Sequence, residues 1–377
     1  MDINRIIIYI MLFFVLVGAA DQITGSRLRL GNKWEDGIMA MGTLVISTAG
    51  LLVLAPLLGS ILKPVVGPAF GWLGADPGVF GGMILDLDTG GAALVKQLAE
   101  SNDGYAVGLI TASMLGATIT FNIPVAMNLT KKEYQKDVAK GILIGIIAIP
   151  VGIFVGSIFA GVSMKMILMN LIPVTVLSLI IIICLWKWEK TIVRVFIIFG
   201  KVILGISVAG TCIGALSEFA GFTPFPDIMP LGDVFAIIGN VAVILAGAFV
   251  LVEIITRILK NPLQKAGARI GVNETAISAL LITLANEIPI FSMMENMNER
   301  GRIASSAFCV SAAFVLGDHL GFIAGFAPNM IAAIVISKLV GGFSALVIAL
   351  FLSRPQEELL DHVPEEWEQD DEEEKIK

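Results

Sequence analysis

Two apolar runs decide how this chain folds: GVFGGMILDLDTGGAALVKQLA at residues 78–99 and AISALLITLANEIPIFSMMEN at residues 276–296. Each has about the 20 residues needed to cross a hydrocarbon core, yet each is interrupted near its centre. Asp86, Asp88 and the pair Gly90 and Gly91 break the first run; Asn286, Glu287 and Pro289 break the second. Free backbone groups at membrane depth are tolerated only where protein or a water-filled cavity satisfies them, and ionisable side chains there are costly. The two runs therefore predict discontinuous segments beside a polar cavity.

Around them lie nine uninterrupted apolar runs, at about residues 3–20, 37–62, 105–128, 138–162, 166–186, 192–217, 234–259, 303–326 and 329–352. The chain of 377 residues is 56% hydrophobic and 15% charged, with a mean hydropathy of +0.88, whereas an average soluble chain is about a quarter charged. This composition excludes a soluble enzyme and predicts an all-α polytopic membrane protein with about nine crossings. The first run, MDINRIIIYIMLFFVLVGAA, has no extended basic region and no clear cleavage site, so it reads as a retained helix. Of the formal charge of -7, residues 354–377 carry 11 acids and 3 bases, which leaves the body at +1. That tail reads as a solvated, disordered acidic end. Cys184, Cys212 and Cys309 stand in apolar runs without paired spacing and read as small buried residues. No cofactor, metal or nucleic-acid partner is expected.

Short loops rich in Lys and Arg mark the cytoplasmic side. Here they are Arg27, Arg29 and Lys33; Lys131, Lys132, Lys136 and Lys140; Lys187, Lys190 and Arg194; Lys260, Lys265 and Arg269; and Arg300 with Arg302. If both interrupted runs crossed the bilayer, the four-lysine loop would share a side with the nearly lysine-free loop 221–233. If each is a re-entrant hairpin, every basic loop falls inside, with the N-terminus outside and the acidic C-terminus cytoplasmic.

Sliding the sequence against itself by 197 residues lays 36–126 over 233–323 without a gap. Asp36 meets Asp233, Gly74 meets Gly271, Gly104 meets Gly301, and one interrupted run falls on the other. The expected organisation is a first repeat at 1–162, a connecting helix at 163–190, a second repeat at 191–353 and the acidic tail. An odd number of crossings in the connector would invert the second repeat. Inverted repeats with discontinuous segments near the midplane are a recurring plan of secondary transporters.

The polar residues stranded in these runs are Asp86, Asp88, Asn122, Asn128, Glu253, Asn286, Glu287, Asp318 and His319. In the repeat register Phe121 and Asn122 overlie Asp318 and His319, so two hairpins and the helices after them carry nearly all the midmembrane polarity. Asp88, Glu287 and Asp318 around one cavity would favour a small cation, while Asn122, Asn286 and His319 can hydrogen-bond a hydroxyl. Asp86 is expected near the mouth or in a structural pair. Glu253 precedes Arg257 by four residues, the spacing of a helical ion pair. Asn128 reads as a helix cap, and His319 reads equally as a partner of its neighbours or as a proton-linked switch.

The stretches NRIIIYIMLFFVLVGAAD (4–21), EDGIMAMGTL (35–44), LGADPGVFGGMILDLDTGG (73–91), TLANEIPIFSMM (283–294) and SAAFVLGDHLGF (311–322) resemble the ethanolamine permease family of bacterial ethanolamine-utilisation operons, EutH. The resemblance runs from residue 1 to about 352 and implies a bacterial cytoplasmic-membrane permease that admits ethanolamine. Asp88, Gly90, Gly91, Asn286, Ile288, Pro289, Gly317, Asp318, His319 and Gly321 match the family's pattern. Glu287 departs from it, since an amide is usual there, and so does the acidic Asp86. The chemistry of such a substrate, a primary ammonium with a hydroxyl, makes Asp88 and Asp318 the expected ammonium ligands, Asn122, Asn286 and His319 the expected hydroxyl partners, and Phe121 or Phe291 the source of apolar or cation-π contact. The expected partners are the small-molecule substrate and membrane lipid, with a homodimer as one further expectation.

Two other functional classes remain open to the sequence. A channel-like facilitator for a small cation or amine also uses glycine-rich re-entrant loops. An intramembrane aspartyl hydrolase would pair two aspartates such as Asp88 and Asp318, but Leu87 precedes Asp88, and only the nearer glycine of a glycine-x-glycine-aspartate pattern precedes Asp318.

Overall fold

The structure, a computed structural model, describes residues 3–353; the acidic end at 354–377, expected to be solvated, lies outside the described residues. The described residues are helical, with no strand. α1 (Ile3–Ile23) turns into α2 (Leu30–Leu44), which continues through a π-helical turn at Val45–Ala49 into α3 (Gly50–Trp72). The α1 to α2 turn is organised by buried Asp21, whose carboxylate accepts from the backbone N–H groups of Leu28, Leu30 and Gly31. One carboxylate thus satisfies donors that a tight turn would otherwise leave orphaned.

The first interrupted run forms two short helices, α4 (Gly78–Ile84) and α5 (Ala92–Leu98), with extended residues at Leu85 and Asp86 and a π-helical turn at Leu87–Gly91 between them. They pack side by side as a hairpin. Asp76 closes its mouth: the carboxylate accepts from the N–H of Gly78 on one arm and from the N–H of Ser101 and its hydroxyl beyond the other, at 2.7 to 2.9 Å. Asn170 accepts the N–H of Asp76 from outside.

Next come α6 (Asn102–Thr111), π-helical turns at Ala112–Gly116 and Thr118–Asn122, α7 (Ile123–Leu129) and α8 (Gln135–Phe159). α9 (Met164–Ala220) holds both expected runs 166–186 and 192–217, separated by a non-helical residue, Trp188 (φ -135°, ψ 41°). α10 (Leu231–Arg269) follows. Glu253 and Arg257 on it form the expected ion pair at 2.8 Å. The second interrupted run becomes α11 (Glu274–Thr283), a break, and α12 (Ile288–Ser292); α13 (Glu299–Ala312), α14 (Asp318–Phe326) and α15 (Ile331–Leu352) complete the described chain.

Seven helices among the described residues are long and apolar enough to cross a membrane. They contain eight of the nine expected runs. The ninth, 303–326, is not one continuous helix but is broken between α13 and α14. The reason is tertiary: Phe314 adopts φ 60°, and the N–H groups of Phe314 and Leu316 donate to Thr283 O and Leu284 O at 3.0 and 2.8 Å. Two broken segments therefore satisfy each other's backbone. Gly317 sits in this crossing, where a Cβ would come within 2.0 Å of Ala285 O, so no larger residue fits. The cysteines are free; Cys309 is buried, Cys184 is partly buried and Cys212 is exposed rather than buried.

Local features recur 197 residues apart. Gly74 and Gly271 both turn the chain with positive φ, 67° and 71°, a conformation glycine adopts without strain. Asp76 and Asn273 cap the helices that follow, α4 and α11. Ser101 and Asn298 cap α6 and α13 through the N–H groups of Gly104 and Gly301, both at 2.9 Å. The mouth of the second hairpin is closed by amides where the first uses a carboxylate: Asn273 donates to Asn296 O and Asn298 to Gly271 O.

Candidate functional site

The breaks surround a cavity of about 510 Å³. Its polar lining comes from the tip of the first hairpin (Asp86, Asp88 and Thr89), the break of the second (Asn286), the start of α14 (Asp318 and His319), and Thr43, Ser47 and Thr120. Leu44, Ile203, Leu204, Phe121, Phe249 and Phe314 supply apolar walls. Three of the four π-helical turns contribute to this lining, and such turns re-aim side chains and free backbone groups inside otherwise regular helices. Thr48 in the first of them donates its hydroxyl to Asp88 O at 2.5 Å, which ties the α2 to α3 junction to the hairpin tip.

The tip itself is shaped by Gly90, at φ 93° with Leu51 packed against the place a Cβ would occupy. Gly91 N–H donates to Asp86 O at 2.8 Å. Asp86 also caps the turn, accepting from the N–H of Leu87, and its Oδ1 lies 2.9 Å from His319 Nε2. Ligand atoms of Asp86, Asp88 and His319 all lie within 4.8 Å of one another. His319 Nδ1 is buried without a protein partner among the described residues. Its ring lies 5.5 Å from that of Phe314, which meets Phe121 edge to face at 5.5 Å. The chamber thus offers carboxylates and an amide beside aromatic faces. That combination suits a small ammonium ion carrying a hydrogen-bonding group.

Of the residues expected from sequence, Asp88, Phe121, Asn286, Asp318 and His319 line the cavity. The others stand behind it. Gly90 and Gly91 form the hairpin turn. Asn122 is buried and donates from its amide to Val310 O at 3.3 Å, because the π-helical turn points it at α13. Glu287 is fully buried and accepts from Cys309 Sγ at 2.6 Å, turned away from the chamber by its place before α12. Phe291 is buried in the core. Asp86, expected near the mouth or in a structural pair, is buried at the tip and paired with His319. Thr43, Ser47, Thr120 and Phe314 join the cavity without being expected from sequence. Lys338, a buried lysine that donates to Ser113 O at 2.5 Å, is likewise not expected from sequence and does not line the cavity. Lys338 did leave a signal, since it is the single charged residue in the run 329–352.

A family model described as "Ethanolamine utilisation protein, EutH" matches residues 3–352. The chain belongs to the EutH family. It is 45% identical over 354 residues to a protein of Listeria monocytogenes named "Probable ethanolamine permease EutH", with 94% of this chain and 95% of that one covered. It is 36% identical to a Salmonella typhimurium protein of the same name, covering 93% and 96% of the two chains. It is also 37% identical to the Bacillus subtilis protein YxeR, covering 94% and 96%. No solved structure matches the chain. This EutH-family chain, with seven long apolar helices among its described residues, is a multi-pass membrane protein.

Proposed function

We propose that this protein is a cytoplasmic-membrane permease that carries ethanolamine, and not an enzyme. The carrying observation is the cavity lined by Asp88, Asn286 and Asp318, brought together from three separate helix breaks. At neutral pH ethanolamine is a primary ammonium, by analogy with a lysine side chain of pKa about 10.4, and an ion crosses a hydrocarbon core only at great cost. Asp88 and Asp318 would replace the ammonium's hydration shell, the amide of Asn286 and Nδ1 of His319 would meet its hydroxyl, and Phe121 would cover its methylenes. The names of the relatives support this reading, as does the absence of a tyrosine-aspartate motif at Asp88.

The proposed mechanism is alternating access between two inverted repeats, 1–162 and 191–353, joined by a connecting helix at 163–190. The caps and turns that recur 197 residues apart support the repeat, and the tied mouths of both hairpins support re-entrant segments at 78–99 and 276–296. In that arrangement the N-terminus lies outside and the acidic tail inside. The test is uptake of labelled ethanolamine at micromolar concentration and acidic external pH, where leak of the neutral amine is least. Wild type should give saturable uptake above empty cells, and Asp88→Asn, present in the membrane at equal amount, should not. Uptake equal to that of empty cells would remove the substrate assignment.

A further inference from the structure

Lys338 lies on α15 and is 1% exposed, which makes it one of the largest fully buried side chains in the molecule. A buried ammonium is stable only with opposite charge and hydrogen-bond acceptors around it. One acceptor is Ser113 O, in the π-helical turn Ala112–Gly116. Opposite charge comes from Asp86, Glu287 and Asp88, on which the ammonium acts electrostatically, with Cys309 and His319 also within its field. Lys338 does not line the cavity; the turn that accepts from it packs against the first hairpin, where a Cβ on Gly116 would come within 2.0 Å of Leu85 O.

On the cavity side, ligand atoms of Asp86, Asp88 and His319 lie within 4.8 Å of one another. Two carboxylates and an imidazole so spaced are a donor set that divalent first-row metals accept. A carrier for a monovalent ammonium must not trap such an ion, because a filled cluster would neutralise the charge the substrate needs. We propose that Lys338 is a specificity-determining positioning residue: it is the resident cation of this cluster, supplying from behind a single positive charge that offsets part of the cluster's negative charge, so that the cavity accepts one monovalent ammonium and rejects divalent cations. Asp86 is its intermediary, holding His319 on one side and facing the lysine's field on the other. The identity of the monovalent ammonium rests on the function proposed above; the rejection of divalent ions does not.

The test uses purified full-length protein in detergent and reads thermal stabilisation against concentration of manganese(II), of ethanolamine and of 1,3-diaminopropane, a dication near neutral pH by analogy with lysine. Wild type should ignore manganese and the diamine. K338M should bind manganese at least about tenfold more tightly than wild type, as expected when a repelling charge is removed from the neighbourhood of a partly screened site. The double variant D86N/K338M, in which the charge pair is removed together, should lose that gained affinity. A lysine needed only for packing would leave manganese affinity unmoved in K338M. Equal manganese binding by wild type and K338M, or undiminished binding by D86N/K338M, would overturn the proposal. If K338M does not yield folded protein, recovery of folding in D86N/K338M supports charge compensation, and failure of both variants contradicts it. Ethanolamine stabilisation of wild type is read separately: its absence would sink the substrate assignment while the manganese comparison still decides the role of Lys338.

Discussion

The two hairpins occupy the same register yet divide the work unequally. The first carries Asp86 and Asp88 at its tip, both at the cavity, and its mouth is clamped by a third carboxylate, Asp76. The second offers the amide of Asn286 and the apolar side chain of Ile288 to the cavity, turns its carboxylate Glu287 back onto Cys309, and closes its mouth with the amides of Asn273 and Asn298. Its break is also stitched to the break between α13 and α14 by two backbone hydrogen bonds, whereas the first is held from the side by Thr48. One hairpin supplies charge and the other supplies framework. Matching turns and caps 197 residues apart therefore do not entail matching chemistry.

The largest effect that would sharpen this contrast is on transport. On the proposed site, Asp88→Asn removes a charged partner of the ammonium, worth about 1.5 to 3 kcal/mol per hydrogen bond, and should lower initial ethanolamine uptake by about 10 to 100-fold. Glu287→Gln should change it less than about threefold, since that side chain does not reach the cavity; the reverse order would break the division of labour. Next in size is stability. Asp76→Ala leaves buried donors on both arms of the first hairpin unpaired, at about 1 to 3 kcal/mol for each, and should lower the melting temperature clearly. Asn273→Ala removes a helix cap worth about 1 kcal/mol and should lower it less.

Gly90→Ala is a smaller perturbation of the first tip. A left-handed conformation and contact with Leu51 together cost about 1 to 3 kcal/mol, and a melting curve should report it. The smallest effect is expected where the second hairpin's mouth meets the loop between α7 and α8. Lys131, in the loop between α7 and α8, pairs with Glu295, and that hydrogen bond raises its pKa above the ordinary lysine value. A raised lysine pKa stabilises the fold below the unfolded value and is lost as pH rises through the folded one. The pair is exposed, so solvent screens it; Lys131→Ala should leave the melting temperature at neutral pH unchanged.

Much of this was legible in the sequence because the residues that interrupt the two runs do so for local reasons. Gly90 and Pro289 break helices by their own backbone chemistry, and Asp88 or Asn286 cannot sit in lipid unattended. The break at 313–317 was not legible. SAAFVLGDHLGF reads as a continuous apolar helix, and what unwinds it is the pairing of Phe314 and Leu316 with carbonyls of a distant segment. The same holds for Glu287 and Asn122. Their polarity marks them as important, but which way each side chain faces is set by α13, through Cys309 and Val310. Lys338 escaped because one lysine in an apolar run reads as part of an ordinary crossing until its neighbours are known.

The most direct test of the central claim, a carrier whose ammonium site is at the first hairpin's tip, is counterflow in proteoliposomes. Vesicles loaded with millimolar unlabelled ethanolamine are diluted into trace labelled ethanolamine, with wild type and Asp88→Asn compared at equal reconstitution. The account predicts a transient accumulation of label in wild-type vesicles and none with Asp88→Asn. Equal accumulation by both proteins, or label that equilibrates in wild-type vesicles without overshoot, would contradict it.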